Sequence, residues 1–215
     1  MQLTTRHFSL FGGSLRSLFK RESDRRRLAG SPFEWLFHPY LGEELVALAF
    51  RFAPTDPILS VAAVVFNERR VLTQNAWVAT LADRHTVARR ALRRHQVEHP
   101  TPALMAPTAE NIATLAEFIG NRPVVGWGLD QTLGPVNRLF DQRLGFELPN
   151  AQVDIERLYQ RRQKRSSIDP RLAPDLDQAL RHARLTPPGA TSLLGEASAC
   201  ALLYMRLTRD AALEA

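Results

Sequence analysis

Leu45-Val-Ala-Leu-Ala-Phe-Arg-Phe52, then Pro54-Thr-Asp-Pro57, then Ile58-Leu-Ser-Val-Ala-Ala-Val-Val-Phe66 reads as strand, tight turn, strand. The second run is apolar at nearly every position, as expected of a strand covered on both faces. Asn67-Glu-Arg-Arg70 reads as a further turn leading to a third strand over Val71–Gln74. Three strands in sequence with short turns predict an antiparallel meander.

Outward from this meander the pattern turns helical. Thr86–Gln96 carries apolar Val87, Ala88, Ala91 and Leu92 beside a basic face of Arg89, Arg90, Arg93 and Arg94. Thr108 is placed to cap a helix reaching Ile119. Pro123–Trp127 reads as a short buried strand. Leu129–Leu144 reads as a helix, with Gly134 and Pro135 badly placed near its start. Asp154–Arg162, Pro174–Leu185 and Ser192–Leu207 read as further helices, with Thr186-Pro-Pro-Gly189 as a breaker. Strands, helices, a strand and more helices predict one mixed sheet in an α/β domain.

The chain has 215 residues, with 45% hydrophobic and 23% charged, the balance of a globular domain. No apolar run reaches the ~18 residues of a membrane span. Met1–Lys20 lacks a continuous apolar core and a small-residue cleavage site, so the expected compartment is the cytoplasm. The one cysteine, Cys200, lies in an apolar stretch and reads as a small buried hydrophobe; it excludes an internal disulfide or a cysteine-based zinc cluster. The histidines have no metal-ligand spacing: Pro100 follows His95 and His99, against a shared helical face. No phosphate-loop or dinucleotide glycine pattern occurs. Ser192 and Ser198 have no evident activating base. Asp154, Glu156, Asp175 and Asp177 read as helix-start acids favoured by the helix dipole.

The net charge is +6, and almost all of the cations are arginines. Residues 1–30 hold Arg6, Arg16, Lys20, Arg21, Arg25, Arg26 and Arg27 against Glu22 and Asp24, so about +5 of the charge sits there. The organisation read from this is a basic arm over 1–40, a near-neutral domain over 41–210 and a tail over 211–215. Ser31–Tyr40, aromatic and bracketed by prolines, is expected to pack on the domain as a short helical turn. The arm has two readings, a helix lying on an anionic membrane surface through residues 1–30 or a segment docking into a partner.

Five strings in order carry a family resemblance: Asp56-Pro-Ile-Leu-Ser-Val-Ala-Ala-Val64, Phe118-Ile-Gly-Asn-Arg-Pro-Val-Val-Gly-Trp127, Val136-Asn-Arg-Leu139, Phe146-Glu-Leu-Pro-Asn150 and Leu194-Gly-Glu-Ala197. From about Glu44 to Leu207 the chain resembles the DEDD-type 3′–5′ exonucleases, the group of the DNA polymerase III epsilon subunit. It looks closest to the bacterial branch often encoded beside CBS-domain or nucleotidyltransferase-type signalling proteins. The resemblance implies a ribonuclease H-like fold with four carboxylates holding two divalent metals, roughly 3.5–4 Å apart, and a His or Tyr as general base.

This sequence departs from the motifs that carry that chemistry. The family's Asp-x-Glu falls on Ala49 and Arg51. The aspartate of its second motif falls on Thr132 in Gly126-Trp-Gly-Leu-Asp-Gln-Thr132, with Asp130 two positions earlier. Its His-x-x-x-x-Asp falls on Thr191 and Glu196. Glu196 and Asp130 are the remnant catalytic candidates; no metal site is expected, and Glu196 is the one candidate ligand if there is one. One carboxylate does not hold two Mg²⁺.

The resemblance thus implies the fold and a catalytically inactive binding or regulatory module, with no cofactor. Its implied partner is a protein, a CBS-domain signalling protein being one kind, with weak nucleic-acid or nucleotide binding beside it. One alternative is a divergent exonuclease using Mg²⁺ or Mn²⁺ on single-stranded nucleic acid. Another is a membrane-surface adaptor acting through the arm. The nucleic-acid-binding candidates are Arg89, Arg93, Arg161 and Arg162, with Trp127 as a stacking aromatic or, on the plainer reading, a core residue.

Overall fold

A computed structural model describes residues 15–165, 175–186 and 192–213. Thr191, the first fourteen residues and Ser166-Ser167 lie outside the described residues. The described chain forms an α/β fold with a six-stranded mixed sheet and seven α-helices.

β1 (Leu45–Phe52) and β2 (Leu59–Phe66) pair antiparallel along their full length, from Leu45 opposite Phe66 to Phe52 opposite Leu59. The third strand is displaced from its expected place. Val71 makes one isolated bridge to Phe66, Thr73–Asn75 forms a 3₁₀ turn, and β3 is Trp77–Leu81, antiparallel to β2. The displacement has a packing reason. Ala79 and Leu81 are buried in the core, whereas Thr73 and Gln74 of the expected segment are exposed. β4 (Leu104–Met105) adds parallel to β3 at one edge. β5 (Val124–Gly126) runs parallel to β1, and β6 (Gln152–Asp154) parallel to β5. The sheet order is β4-β3-β2-β1-β5-β6.

The helices are α1 (Leu15–Arg27), α2 (Arg89–Glu98), α3 (Ala109–Ile119), α4 (Leu129–Leu144), α5 (Ile155–Arg165), α6 (Leu176–His182) and α7 (Leu193–Leu213). Thr108 caps α3, its hydroxyl accepting from Asn111 N, as its position in sequence predicts. α4 runs through Gly134 and Pro135. Leu129, Leu133, Val136 and Phe140 all bury along one stripe, which offsets a mid-helix proline penalty of about 3 kcal/mol.

Strand alternation gives the two sides of the sheet different cores. Val46, Leu48 and Phe50 of β1 join Leu115, Ile119, Phe140 and Phe146 in a layer of large side chains. Ala47 and Ala49 join Ala62, Ala197, Cys200 and Ala201 on the other side, where small residues let α7 lie close to the sheet. Arg51 extends this second side beyond the end of the core.

The described part of the 1–40 arm is docked rather than free. Leu36 and Phe37 of the expected turn are buried in the main core, and the Phe33 and Phe37 rings meet Phe146 at centroid distances of 5.3 and 5.7 Å. Most of the arm's cations in α1 also have partners. Lys20 Nζ donates to Glu147 Oε1 at 2.6 Å, Arg27 pairs with buried Asp24, and Arg25 and Arg26 pair with Glu22. The hydrogen bond to Glu147 holds the Lys20 ammonium above its ordinary pKa. Among the described residues no helix is long and apolar enough to cross a membrane.

Candidate functional site

β1 ends at Phe52, which lies opposite Leu59, and Leu59 lies opposite Leu81 at the end of β3. The C-terminal ends of β1 and β3 therefore share one end of the sheet. Two features meet the solvent there, a cleft beside α7 and the start of α2.

The cleft, about 220 Å³, is lined by Arg51, Asp175, Asp177, Leu180, Glu196 and Ala199 among others. Across it Arg51 and Glu196 form a two-pronged pair. Arg51 Nη1 donates to Glu196 Oε1 at 3.1 Å and to the Phe50 carbonyl at 2.9 Å, while Nη2 donates to Glu196 Oε2. Both carboxylate oxygens of Glu196 are thereby engaged by a cation held on the sheet. Ala49, one pleat earlier on the same face, is buried at 4% exposure and offers no ligand atom. Asp175 Oδ1 caps α6 through Gln178 N, and Ser192 Oγ accepts from Gly195 N near the start of α7. Ser198 Oγ donates to the Leu194 carbonyl, so both serines have local structural roles.

The other positions that the resemblance singles out are engaged elsewhere. Thr132 Oγ1 donates to the Gly128 carbonyl at 3.1 Å. Asp130 pairs with Arg157 of α5. Asp154, at the end of β6, accepts from Gly128 N and Asp130 N, both at 3.2 Å, and from Glu156 N at 3.0 Å. One carboxylate thus ties together the N-termini of α4 and α5, where the helix dipoles favour a negative charge. Gly128 meets this arrangement with a positive φ of 62°, and a Cβ on Gly126 would lie 2.8 Å from the Leu48 carbonyl. Burial, then the neighbouring Asp154 charge, pushes the Glu156 carboxyl up from its ordinary pKa. No group of three or more potential metal ligands occurs among the described residues. The residues present do not fit a two-metal centre, because the carboxylate nearest the motif positions is already matched to a guanidinium.

Cys200 stands one turn after Glu196 and is fully buried, as its apolar surroundings predict. Burial pushes its thiol up to about 12, so it is held as an unreactive thiol. Trp127 is half-buried and packed with the α7-side core, its ring 6.2 Å from Tyr159, in keeping with the plainer reading.

α2 presents the opposite electrostatics. Arg84, Arg89, Arg90, Arg93 and Arg94 are all exposed, and among the described residues their side chains make no ion pair or hydrogen bond. The N-cap residue, Ala88, has no side-chain acceptor, so no N-cap side chain satisfies the first N–H groups of the helix. Every one of these choices costs stability. Cations at a helix N-terminus oppose the dipole, and Arg89/Arg93 and Arg90/Arg94 are like-charge pairs four apart, each unfavourable by about 0.2–0.5 kcal/mol. α3 and α6, by contrast, are capped by Thr108 and Asp175 and carry acids in their first turns.

The structure does not bring all the predicted nucleic-acid residues together. α2 follows β3 at one side of the sheet, while Arg161 and Arg162 lie on α5, which packs beside β5 and β6 at the other. Arg162 Nη1 donates to the Leu207 carbonyl, and Arg161 lines a shallow pocket with Asp130 and Asp154. Arg162 belongs to the α5–α7 packing and Arg161 stands beside Asp130 and Asp154, leaving Arg89 and Arg93 as members of a continuous cationic face.

Sequence reasoning missed a buried polar chain under α2. Ser60 Oγ lies 2.8 Å from His95 Nε2 and 2.7 Å from Thr80 Oγ1, and Thr80 Oγ1 lies 2.8 Å from Thr101 Oγ1. Ser60 in the otherwise apolar run Ile58–Phe66 is the visible signal, since a buried hydroxyl needs a partner. Ser60 is 0% exposed, so this Ser–His pair is closed to a substrate. The His95 and His99 rings touch edge to face at 5.1 Å, despite Pro100, with His95 committed to Ser60. Comparison with models of known protein families gives no match, and comparison with curated protein sequences gives none either.

Proposed function

We propose that this chain is a ribonuclease H-like domain of the exonuclease type that binds single-stranded nucleic acid without cleaving it. One contrast carries the reading. The cleft at the end of β1 holds a cation already matched by Glu196, while α2 and the turn before it, at the same end of the sheet, display five arginines without a partner among the described residues, around an uncapped helix start. Two-metal cleavage needs concentrated negative charge in the cleft. Phosphate binding needs displayed positive charge and free N–H donors. The chain has the second and has neutralised the first.

The sheet order supports the fold assignment. An antiparallel meander of β1, β2 and β3 is extended by parallel strands beside β1, and a long final helix crosses the sheet next to β1. The meeting of Arg51 with Glu196, 145 residues apart in the chain, agrees with motif positions from the two ends of the resemblance facing one cleft.

A protein partner is the second reading. It is favoured by apolar side chains displayed on the N-terminal segment, Phe19 at 75%, Trp35 at 41% and Leu41 at 91% exposure. A CBS-domain signalling protein is one partner of this kind.

The test is incubation of end-labelled single-stranded DNA and RNA with the protein and Mg²⁺ or Mn²⁺, beside Glu196→Ala. The expected result is retarded, intact label with both proteins. Metal-dependent shortening that is lost in Glu196→Ala would establish the divergent exonuclease instead.

A further inference from the structure

α2 is attached to the sheet by little. A satellite core of Ile58, Ala82, Val87 and Leu92 holds its first half, and His95, 4% exposed, holds its second. The hydroxyl chain beneath it has a direction. Thr101 Oγ1 donates to the Ala103 carbonyl at 3.0 Å, so Thr80 donates to Thr101 and Ser60 donates to Thr80. The remaining role of Ser60 is acceptor, which makes His95 the Nε2–H donor at 2.8 Å and leaves Nδ1 as the site for any further proton.

We propose that His95 is a proton-sensitive latch on α2. The neutral ring holds the helix against β2 and β3, and protonation at Nδ1 releases it. A positive charge on the buried ring has little to offset it. β2, β3 and the segment before β4 present the hydroxyls of Ser60, Thr80 and Thr101, the ring of His99 approaches at 5.1 Å, and Glu98 is the acid that acts on it. Arg93 and Arg94 of the same helix add positive charge. Burial and His99 hold the imidazole below its ordinary pKa, which Glu98 opposes without reversing.

The sign follows from linkage. With the docked pKa depressed, docking is at full strength above the ordinary imidazole value of 6.5 and weakens as the pH falls below it, because the released helix takes up the proton. The weakening is about tenfold per pH unit until the depressed value is reached. Regulation of nucleic-acid binding by this latch rests on the reading above; the latch itself does not.

The test is amide hydrogen exchange of the free protein at pH 7.5 and 5.5, corrected for intrinsic rates, with α3 as the internal reference. In wild type the protection of α2 relative to α3 should fall over the part of this interval below 6.5, by up to about tenfold. In His95→Gln, whose amide can still donate to Ser60, the ratio should stay constant. An unchanged wild-type ratio would overturn the latch. A second readout needs no variant: the ¹⁵N shifts of His95 should report an Nε2–H ring at pH 7.5 and a midpoint below 6.5. A midpoint at or above that value would equally overturn it. Both readings are made without nucleic acid, so failure of the latch and failure of the arginine face are separable.

Discussion

Arg51 and the arginines of α2 stand at the same end of the sheet and are handled in opposite ways. Arg51 is drawn across a cleft onto Glu196, with its carbonyl partner Phe50 on its own strand. Arg89, Arg90, Arg93 and Arg94 stand in the first two turns of a helix that has no side-chain N-cap, and among the described residues they have no ion-pair partner. A cation paired in a cleft is part of the scaffold. Cations placed where they weaken their own helix are better explained by something outside the chain. The difference separates a structural use of charge from a displayed one, and it does so without reference to motifs.

The largest effect should come from removing the display. A variant with Arg89, Arg90, Arg93 and Arg94 all changed to Ala should lose binding to a single-stranded oligonucleotide by at least about a hundredfold at low salt. Its thermal stability should be unchanged or slightly raised, since repulsive pairs and dipole conflicts go with the charges. Unchanged affinity would move the binding surface elsewhere and break the comparison at its exposed side.

A smaller effect probes the scaffold behind the cleft. Asp154→Ala removes the acceptor for three backbone N–H groups at the starts of α4 and α5 and should cost about 2–3 kcal/mol in denaturant unfolding. Asp154→Asn, which keeps one acceptor oxygen, should lose less. If both variants were as stable as wild type, the clamp would not be what positions these helices.

Arg51→Ala breaks the paired side of the comparison. The Arg51 and Glu196 side chains are 41% and 22% exposed, so the loss should be near 1 kcal/mol, because water can reach the carboxylate left behind. No cleavage should appear with Mg²⁺ or Mn²⁺, since Ala49 and Thr132 still supply no carboxylate. The smallest effect should be that of Arg161→Ala, within about twofold in oligonucleotide affinity, as expected of a single exposed cation on a different edge of the sheet.

Much of this fold was legible. Apolar runs marked β1, β2 and β5, spacing marked α3, α4 and α7, and Thr108 announced its own cap. The placement of β3 was not. Val71–Gln74 has enough apolar character to read as a strand, and only the register of Trp77–Leu81 against β2, with its buried residues, distinguishes the two. The arm was legible in charge and not in attachment. Its cations imply a free basic segment until Glu147, Asp141 and Asp24 are seen beside them, and two of those acids are far away in sequence.

The candidate site divides the same way. The basic face of Arg89, Arg90, Arg93 and Arg94 follows from helical spacing alone. The Arg51–Glu196 pair and the Ser60–His95–Thr80–Thr101 chain are long-range contacts, which no local pattern specifies. Ser60 in an apolar strand told of a missing partner without telling which residue it was.

The central claim is that the chain displays positive charge on α2 for phosphate while cancelling it in the cleft. It is tested most directly by fluorescence-anisotropy titration of labelled oligothymidylate, across a salt series, with wild type and the four-arginine variant. Each phosphate neutralised on a single strand contributes about −0.7 to the slope of log K against log salt. The account predicts a wild-type slope steeper than that of the variant by about 3, one contact for each arginine removed. Equal slopes and equal affinities for the two proteins would contradict it.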